Sequence, residues 1–431
     1  MTAPWRIVHL DLSAGLADLS SGDRGVFLVL WWRDWPLGQL EIERAQLPIR
    51  LPELANRIAQ AITPTVGFRM FKQGFDAPLP SNRRTPPVGG APEDLATLLS
   101  VISSEVDGSR GYFWKQTPQP APTPLHSARD DAKVSVVVCT RDRAEALDRC
   151  LQALARLSPS PHEIIVVDNA PQTDATRAKV TSWPDVRYML EPRPGLDIAR
   201  NTGARNSTGG IVAFADDDVE VHPAWITRLR DAFAEPEVMA VTGLVLPAEL
   251  ETEAQYLFEN YWGFNRGYRT KIFDSAWFAR ELPRGVPADQ IGAGANMAFR
   301  REIFARIGWF DERLDVGAAG CSGDSEFWYR ILAHGGKCRY EPSAIVFHHH
   351  RRTLENLHRQ IFFYMRGHVA ASLVQFEKFR HWGNLRRLLL TLPRFYLESL
   401  VGSLLKPHKR QTLWPQVAGY FSGLRFYFMH R

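Results

Sequence analysis

Three consecutive carboxylates, Asp216, Asp217 and Asp218, follow the apolar run Ile211–Ala215. Adjacent anions repel one another, and a bound cation relieves that cost. Hard ions such as Mg²⁺ and Mn²⁺ take oxygen ligands and leave positions open for phosphate. Alternate side chains of a short extended segment share a face, so Asp216 and Asp218 can share one ion. A solvated acidic loop is the other reading of the same triplet. A second group is Ser322-Gly323-Asp324-Ser325-Glu326, which precedes the helical stripe Phe327, Trp328, Ile331, Leu332 and the stop Gly335-Gly336. Asp324 at a helix start is either an N-cap or a general base at the mouth of a site. Arg200, in the helical stretch after Gly195, has the planar fork that suits a pyrophosphate, or else lies on a surface helix. Finally, VFHHHRR (346–352) ends a β-type run, with His348 and His350 on one face. Neutral imidazoles there can complete a metal shell or touch a diphosphate, unless they form an ordinary surface cluster.

These side chains need a scaffold, and the hydrophobic pattern supplies one. VSVVV (134–138) and EIIVVD (163–168) read as strands buried on both faces, and Leu147, Leu151 and Leu154 between them give a helical stripe. Such alternation predicts a parallel sheet wound with helices, which binds ligands at the carboxyl ends of its strands. The polar groups at those ends are Thr140-Arg141-Asp142, Asp168-Asn169 and Asp216-Asp217-Asp218. Further along, GAGAN (292–296) has small residues that let backbone approach closely, and a short helix over 301–307 stops at Gly308. The aromatic segment 254–273 offers Tyr261, Trp262 and Phe264 as an acceptor wall, or as core or lid packing.

Taken in order, VSVVVCTRDR, EIIVVDNA, GLDIARNTG, VAFADDD, GANMAFRREIF, GWFDE and GDSEFWYR make residues 133–350 resemble glycosyltransferase family 2. The resemblance implies an α/β, Rossmann-like GT-A catalytic domain and inverting transfer from a nucleotide-diphosphate sugar, aided by Mn²⁺ or Mg²⁺. It implies Thr140 and Arg141 lining the nucleotide pocket, Asp168 at the base, and Arg200 approaching the nucleotide. Asp216 and Asp218 match the DxD positions, with Asp218 the direct metal ligand and Asp217 beside the nucleotide-sugar. Asp324 matches the catalytic base, Glu326 the acid two residues later, and His348 or His350 the histidine after the core. The family's Glu-Asp pair is Gly323-Asp324 in this chain. The implied acceptor is a hydroxyl on a glycan or lipid-linked glycan, in polysaccharide or cell-envelope assembly. A nucleotidyltransferase of the same fold class is an alternative, weakened by the lack of a Gly-rich, Lys-containing loop after the first strand. A non-catalytic nucleotide- or sugar-binding scaffold would need no base.

The chain has 431 residues, 45% hydrophobic and 23% charged, which suits two or three globular units and excludes a wholly disordered chain. Proline-rich stretches at 78–94 and 116–132 divide it, the second as a linker. A small α+β accessory domain is expected over 1–115, with strands from WRIVHLDL, VFLVLWW and QLEIE and helices carrying Leu54, Ile58, Ile62 and Leu95, Leu98, Leu99, Ile102. The catalytic domain is expected over 133–350 and a helical, basic and aromatic extension over 351–431. Four scattered cysteines and no secretory pattern at the N-terminus suit a reducing, cytoplasmic setting. From Arg380 onward nine Lys or Arg face one acid, Glu398, so the net +5 belongs to the tail and a nucleic-acid partner is not expected. Pro393, Arg394 and Glu398 interrupt the apolar stretch 388–405, which argues against a spanning helix. The expectation is peripheral contact with the inner face of the cell membrane, or a helical cap on the catalytic domain.

Overall fold

A computed structural model describes residues 5–16, 19, 24–71, 133–405 and 410–430. The proline-rich stretches, the linker at 116–132 and the helix expected around Leu95–Ile102 lie outside the described residues. The chain divides into two compact units.

In the N-terminal unit, β1 (Trp5–Asp11) and β2 (Gly25–Trp32) are parallel, and β3 (Trp35–Ile42) pairs antiparallel with β2. Every residue of β2 is buried, as its unbroken apolar run requires. Helix α1 (Leu51–Phe71) follows, and its Leu54, Ile58 and Ile62 are buried in the same core as Leu28, Leu30 and Ile42. Residues 249–257 and 267–269 belong to this unit as well, and Tyr256 stacks on Trp5 with centroids 5.0 Å apart.

The larger unit opens with β4 (Val134–Thr140), α2 (Ala144–Ala155), β5 (Glu163–Asn169), α3 (Ala175–Thr181), β6 (Val186–Glu191), α4 (Leu196–Asn206) and β7 (Ile211–Asp216). It continues through β8 (Val219–Val221), α5 (Trp225–Ala232), β9 (Val238–Pro247), the part from Phe258 onward of α6 (Glu253–Trp262), β10 (Lys271–Phe273), α7 (Ser275–Glu281), β11 (Asn296–Arg300) and α8 (Glu302–Ile307). Helix α9 (Gly323–Ala333) and the long β12 (Lys337–His348) come next. Helices α10 (Leu354–Phe379), α11 (Trp382–Arg386), α12 (Leu392–Leu405) and α13 (Arg410–Met429) form the extension. Strands β4 to β7 are parallel, β11 runs against β7 and β9, and the order across the sheet is β10-β12-β9-β11-β7-β4-β5-β6, with β8 paired to β12.

Register explains why the polar strand ends converge. Thr140 lies beside Asp168 across the β4–β5 pair, and Cys139 beside Asp216 across β4–β7. Three strand ends therefore reach the same edge of the sheet. One face buries Val136, Val138, Leu147, Leu151 and Val166; the other buries Val137, Ile165, Val167, Phe299 and Phe327. Each such side chain contributes about 1.5–3 kcal/mol on burial. Asn296, in the GAN segment, is a structural hub. Its amide donates to the carbonyls of Leu244 and Ala344 (3.0 and 2.9 Å) and accepts from Trp225 Nε1 (2.9 Å), tying β9, β11 and β12 together.

Candidate active site

The acidic triplet does not project as one array. Asp216 is the last residue of β7, and Asp217 and Asp218 form the turn into β8. Asp217 Oδ2 accepts from Thr140 Oγ1 (2.7 Å), and Asp217 and Asp218 both receive the Arg143 guanidinium, at 2.5 and 2.7 Å. Asp216 instead looks towards Arg200, 4.0 Å away. Burial and neighbouring charge push Asp216 up to about 6 and Asp217 up to about 7. Burial is the larger cause, and the like charge of the neighbouring carboxylates adds to it.

Arg200 lies on the inner side of α4 and is buried rather than displayed on the surface. Its guanidinium donates to Asp197 (3.0 Å) and Asp315 (2.7 Å). Gly203, one turn further on, lets the helix lie against β4, because a Cβ there would come within 2.3 Å of Val137. Asp324, in the first turn of α9, is partly exposed, and its Oδ1 accepts from the Ser325 N–H at 2.6 Å. A Cβ at Gly294 would lie 2.9 Å from both Arg200 Nη2 and Asp324 Oδ2. The small residues of the 292–296 loop thus leave room for this charged pair. The Arg200 guanidinium thus lies near both the end of β7, 4.0 Å from Asp216, and the start of α9. Burial and Asp315 raise the Asp324 carboxyl above its ordinary range, partly offset by Arg200.

The residue before Asp324 must be glycine in this arrangement. A Cβ at 323 would lie 1.8 Å from Asp197 Oδ2, so the Asp197 carboxylate fills the space a side chain would need. Ser322, just ahead, holds a left-handed backbone conformation with φ 75°, which costs roughly 1–3 kcal/mol and is often found at functional sites.

Strand β12 carries the histidines to the acidic turn: His348 pairs with Val219, and the His349 N–H donates to the Asp218 carbonyl at 3.0 Å. A chain of contacts then orders the rings. Glu259 accepts from His350 Nε2 (3.1 Å), and His350 Nδ1 lies 2.8 Å from His348 Nδ1. With one proton per ring, His350 Nδ1 is the acceptor and His348 Nδ1 the donor, so His348 Nε2 keeps its lone pair. Burial pushes the His348 ring down to about 3, which keeps it neutral. That nitrogen lies 3.4 Å from Asp218 Oδ1, a buried oxygen with no hydrogen-bond partner. Two electron-pair donors face each other with no proton between them, the arrangement a divalent cation fits. Among the described residues no three His, Cys, Asp or Glu side chains are grouped as a cation cage.

The remaining expected residues are distributed unevenly. Asp168 is buried at the end of β5; its Oδ2 accepts from Tyr188 (3.0 Å), its Oδ1 has no partner, and burial raises its pKa. Arg141 is exposed, 3.8 Å from Asp142. Glu326 turns into the interior, where Arg330 (2.8 Å) and Lys378 (2.9 Å) neutralise it. Phe264 packs edge-on to His348 at 5.4 Å, Trp262 lies 6.4 Å from Tyr364, and Tyr261 is exposed. Sequence reasoning passes over Arg143, Asp197, Asp315 and Glu259, although all but Asp315 sit inside a segment it singles out. A charge count marks them as candidates, but only the fold assigns their partners.

Residues 135–308 match the Glycosyl transferase family 2 model. This segment is a family 2 glycosyltransferase domain. Its GT-A architecture agrees with the parallel-rich sheet described above, and it contains Thr140, Asp168, Arg200 and the acidic triplet. Asp324 and the histidines lie beyond the matched segment. The glycosyltransferase domain has curated relatives. A glucosyl-dolichyl phosphate glucuronosyltransferase of Haloferax volcanii is 27% identical over 185 residues, covering 42% of this chain and 56% of that protein. A pre-mycofactocin glycosyltransferase of Mycobacterium tuberculosis is 28% identical, covering 59% and 49%. A validoxylamine A glucosyltransferase of Streptomyces hygroscopicus is 30% identical, covering 47% and 48%. The similarity thus spans about half the length of these relatives, and only 21% of an O-antigen biosynthesis protein of Myxococcus xanthus. Among solved structures, GalNAc-T7 with UDP, GalNAc and Mn²⁺ aligns at TM-score 0.39 and 19% identity, covering 54% of this chain and 50% of that one.

Proposed function

We propose that this chain is an inverting glycosyltransferase, taking a sugar from a nucleotide-diphosphate donor to a hydroxyl of a glycan or lipid-linked glycan. The observation that carries this reading is Arg200, whose guanidinium lies beside both Asp216 on the donor-side turn and Asp324 at the helix start. The nucleotide would bind at the ends of β4 and β5, with Asp168 Oδ1 accepting a base N–H and Thr140 holding Asp217 in place. Asp218 and His348 are the residues that fit Mn²⁺ or Mg²⁺, leaving its other positions to water and diphosphate. Such an ion would neutralise charge on the departing nucleoside diphosphate. Asp216 serves the Arg200 side of the site, and His350 orients His348.

In the reaction the acceptor oxygen bonds to the anomeric carbon from the face opposite the diphosphate. The bond from that carbon to the phosphate oxygen breaks, and its electron pair leaves with the nucleoside diphosphate. The acceptor proton passes to Asp324, and the configuration inverts. Asp324 suits the task because it is partly exposed and its raised pKa makes it a stronger base than an ordinary carboxylate. Glu326, held by Arg330 and Lys378, is a support of the helix in this scheme. In this scheme the exposed Tyr261, on the aromatic segment, is the ring available to an acceptor sugar.

The experiment begins with thermal shifts for UDP, GDP, dTDP and CMP, each with and without Mn²⁺, because a ligand of the native state raises its melting temperature. One nucleotide giving a metal-dependent shift names the donor class for transfer assays. Asp324→Asn is expected to keep that shift and lose about 10²–10⁴ of turnover. Near-normal turnover in this variant would overturn the base assignment, and release of pyrophosphate in place of nucleoside diphosphate would overturn the reaction itself.

A further inference from the structure

Large apolar side chains are not scattered evenly over the surface. Of fifteen that are well exposed among the described residues, ten fall between Trp382 and Met429. Single exposed apolar residues need no explanation, but a concentration of this kind marks an interaction surface. Helix α13 gives it a geometry. Trp414, Phe421 and Phe428 recur every seven residues and are 64%, 64% and 67% exposed. Seven residues is close to two helical turns, so the three rings stand in one row, with Ala418 and Arg425 between them. A second row about 100° round the helix, Leu413, Tyr420 and Tyr427, is buried. That inner row is fixed closely to α10: a Cβ at Gly419 would lie 2.4 Å from the Phe362 carbonyl, and one at Gly423 2.6 Å from that of Arg366. The helix cannot roll to hide its aromatics without losing this fit. Leading into α12, Leu389 and Leu390 are 59% and 64% exposed, and Leu397 on that helix is 64% exposed. A helical segment apolar on its solvent side as well as its inner side must be covered by something outside the described chain.

The charge identifies the cover. Residues 380–431 carry nine Lys or Arg and one acid. Two such surfaces facing each other would repel, whereas an anionic lipid surface complements both the cations and the aromatic row, Trp and Phe being suited to the headgroup level. No helix among the described residues is long and apolar enough to cross a membrane. We propose that helices α12 and α13, with the turn leading into α12, lay the Trp414–Phe421–Phe428 row and the leucines of 389–397 onto an anionic phospholipid bilayer, as a surface-lying anchor. The inner faces of the same helices remain packed on the catalytic unit, so the anchor is part of the folded unit.

The test is flotation of the full-length protein with phosphatidylcholine vesicles and with vesicles that also contain phosphatidylglycerol. Cofloating is expected only with the anionic vesicles and is expected to weaken as salt is raised. The triple variant Trp414→Ser, Phe421→Ser, Phe428→Ser is expected to lose about tenfold or more of vesicle binding with an unchanged circular dichroism spectrum and melting temperature. Should the triple variant not fold, Arg394→Gln with Arg425→Gln, which touches no buried row, is expected to weaken anionic vesicle binding alone. Absence of flotation, equal binding to both vesicle types, or unaltered binding in a folded variant would overturn the proposal. So would a dimer of the parent chain that the triple variant dissolves, since that assigns the row to a second copy. Sugar transfer plays no part in these readings, so failure here leaves the proposed activity standing.

Discussion

Arg143 holds two carboxylates at once, and its position defines what the acidic turn needs. With Asp217 and Asp218 both buried, removal of the guanidinium that spans them leaves Asp217 without its cation and Asp218 with Arg351 at 3.9 Å, which costs roughly 3–5 kcal/mol in a buried pair and less here because Arg143 is about one-third exposed. Arg143→Ala is expected to lower the melting temperature by several degrees, and Mn²⁺ is expected to recover more stability in the variant than in the parent. Equal Mn²⁺ shifts in both would separate the arginine from the cation. Asp324 makes a second prediction at this scale. Its pKa is raised, so the acid limb of the pH–rate profile should fall off above the ordinary aspartate value of about 3.9, activity being lost as pH drops through the raised value. A limb at or below that value would remove Asp324 as the base. Sequence motifs led to Asp324, Asp218 and His348 because each ends an apolar run or begins a helical one. They did not lead to Asp197, which sits mid-motif in GLDIARN and acquires its meaning only where its carboxylate meets Gly323. Periodicity reports which face a residue takes, and carries no information about which distant backbone it meets.

Helix α9 is the element on which the two catalytic carboxylates of the sequence reading separate. Asp324 and Glu326 are two residues apart, about 200° around a helix, so they cannot both face the same site. Asp324 takes the open side beside Arg200, and Glu326 takes the buried side, where Lys378 of α10 also reaches Asp311 at 3.0 Å. The extension is thereby locked to the catalytic helix, and the Tyr329 contact with His381 at 2.6 Å reinforces the joint. Glu326→Gln is expected to lower the melting temperature while leaving the shape of the pH–rate profile unchanged. A profile that loses its acid limb in this variant would return Glu326 to the chemistry. The strands and helices themselves were largely legible. Runs such as VSVVV and EIIVVD have few alternatives to a doubly covered strand, and Leu147, Leu151 and Leu154 are buried as their spacing requires. The role of the extension was less so, because an apolar and basic helix reads alike whether it caps a domain or meets a surface, and here one row does the first and leaves the other exposed.

At the scale of the whole molecule, the composition of the N-terminal unit carries a consequence for truncation. That unit combines β1, β2, β3 and α1 with residues 249–257 and 267–269, which lie far away in sequence. Within it, the Trp5 N–H donates to the Leu250 carbonyl at 2.8 Å, Trp5 stacks on Tyr256, and Tyr268 donates to Gln39 at 2.8 Å. Proline-rich breaks suggest where a chain can be cut, but they cannot reveal that a segment some hundred residues later joins the part removed. A protein beginning at residue 129 would therefore keep Leu250 and Tyr256 without the partners that cover them. Uncovering a ring and an aliphatic side chain of this size forfeits about 1.5–3 kcal/mol each. The truncated protein is expected to melt several degrees lower than the full chain or to aggregate, with the larger change near segment 249–257 in hydrogen exchange. A truncated protein with the parent's melting temperature and unchanged protection over that segment would show that the N-terminal unit is a detachable accessory, as the position of the linker by itself suggests.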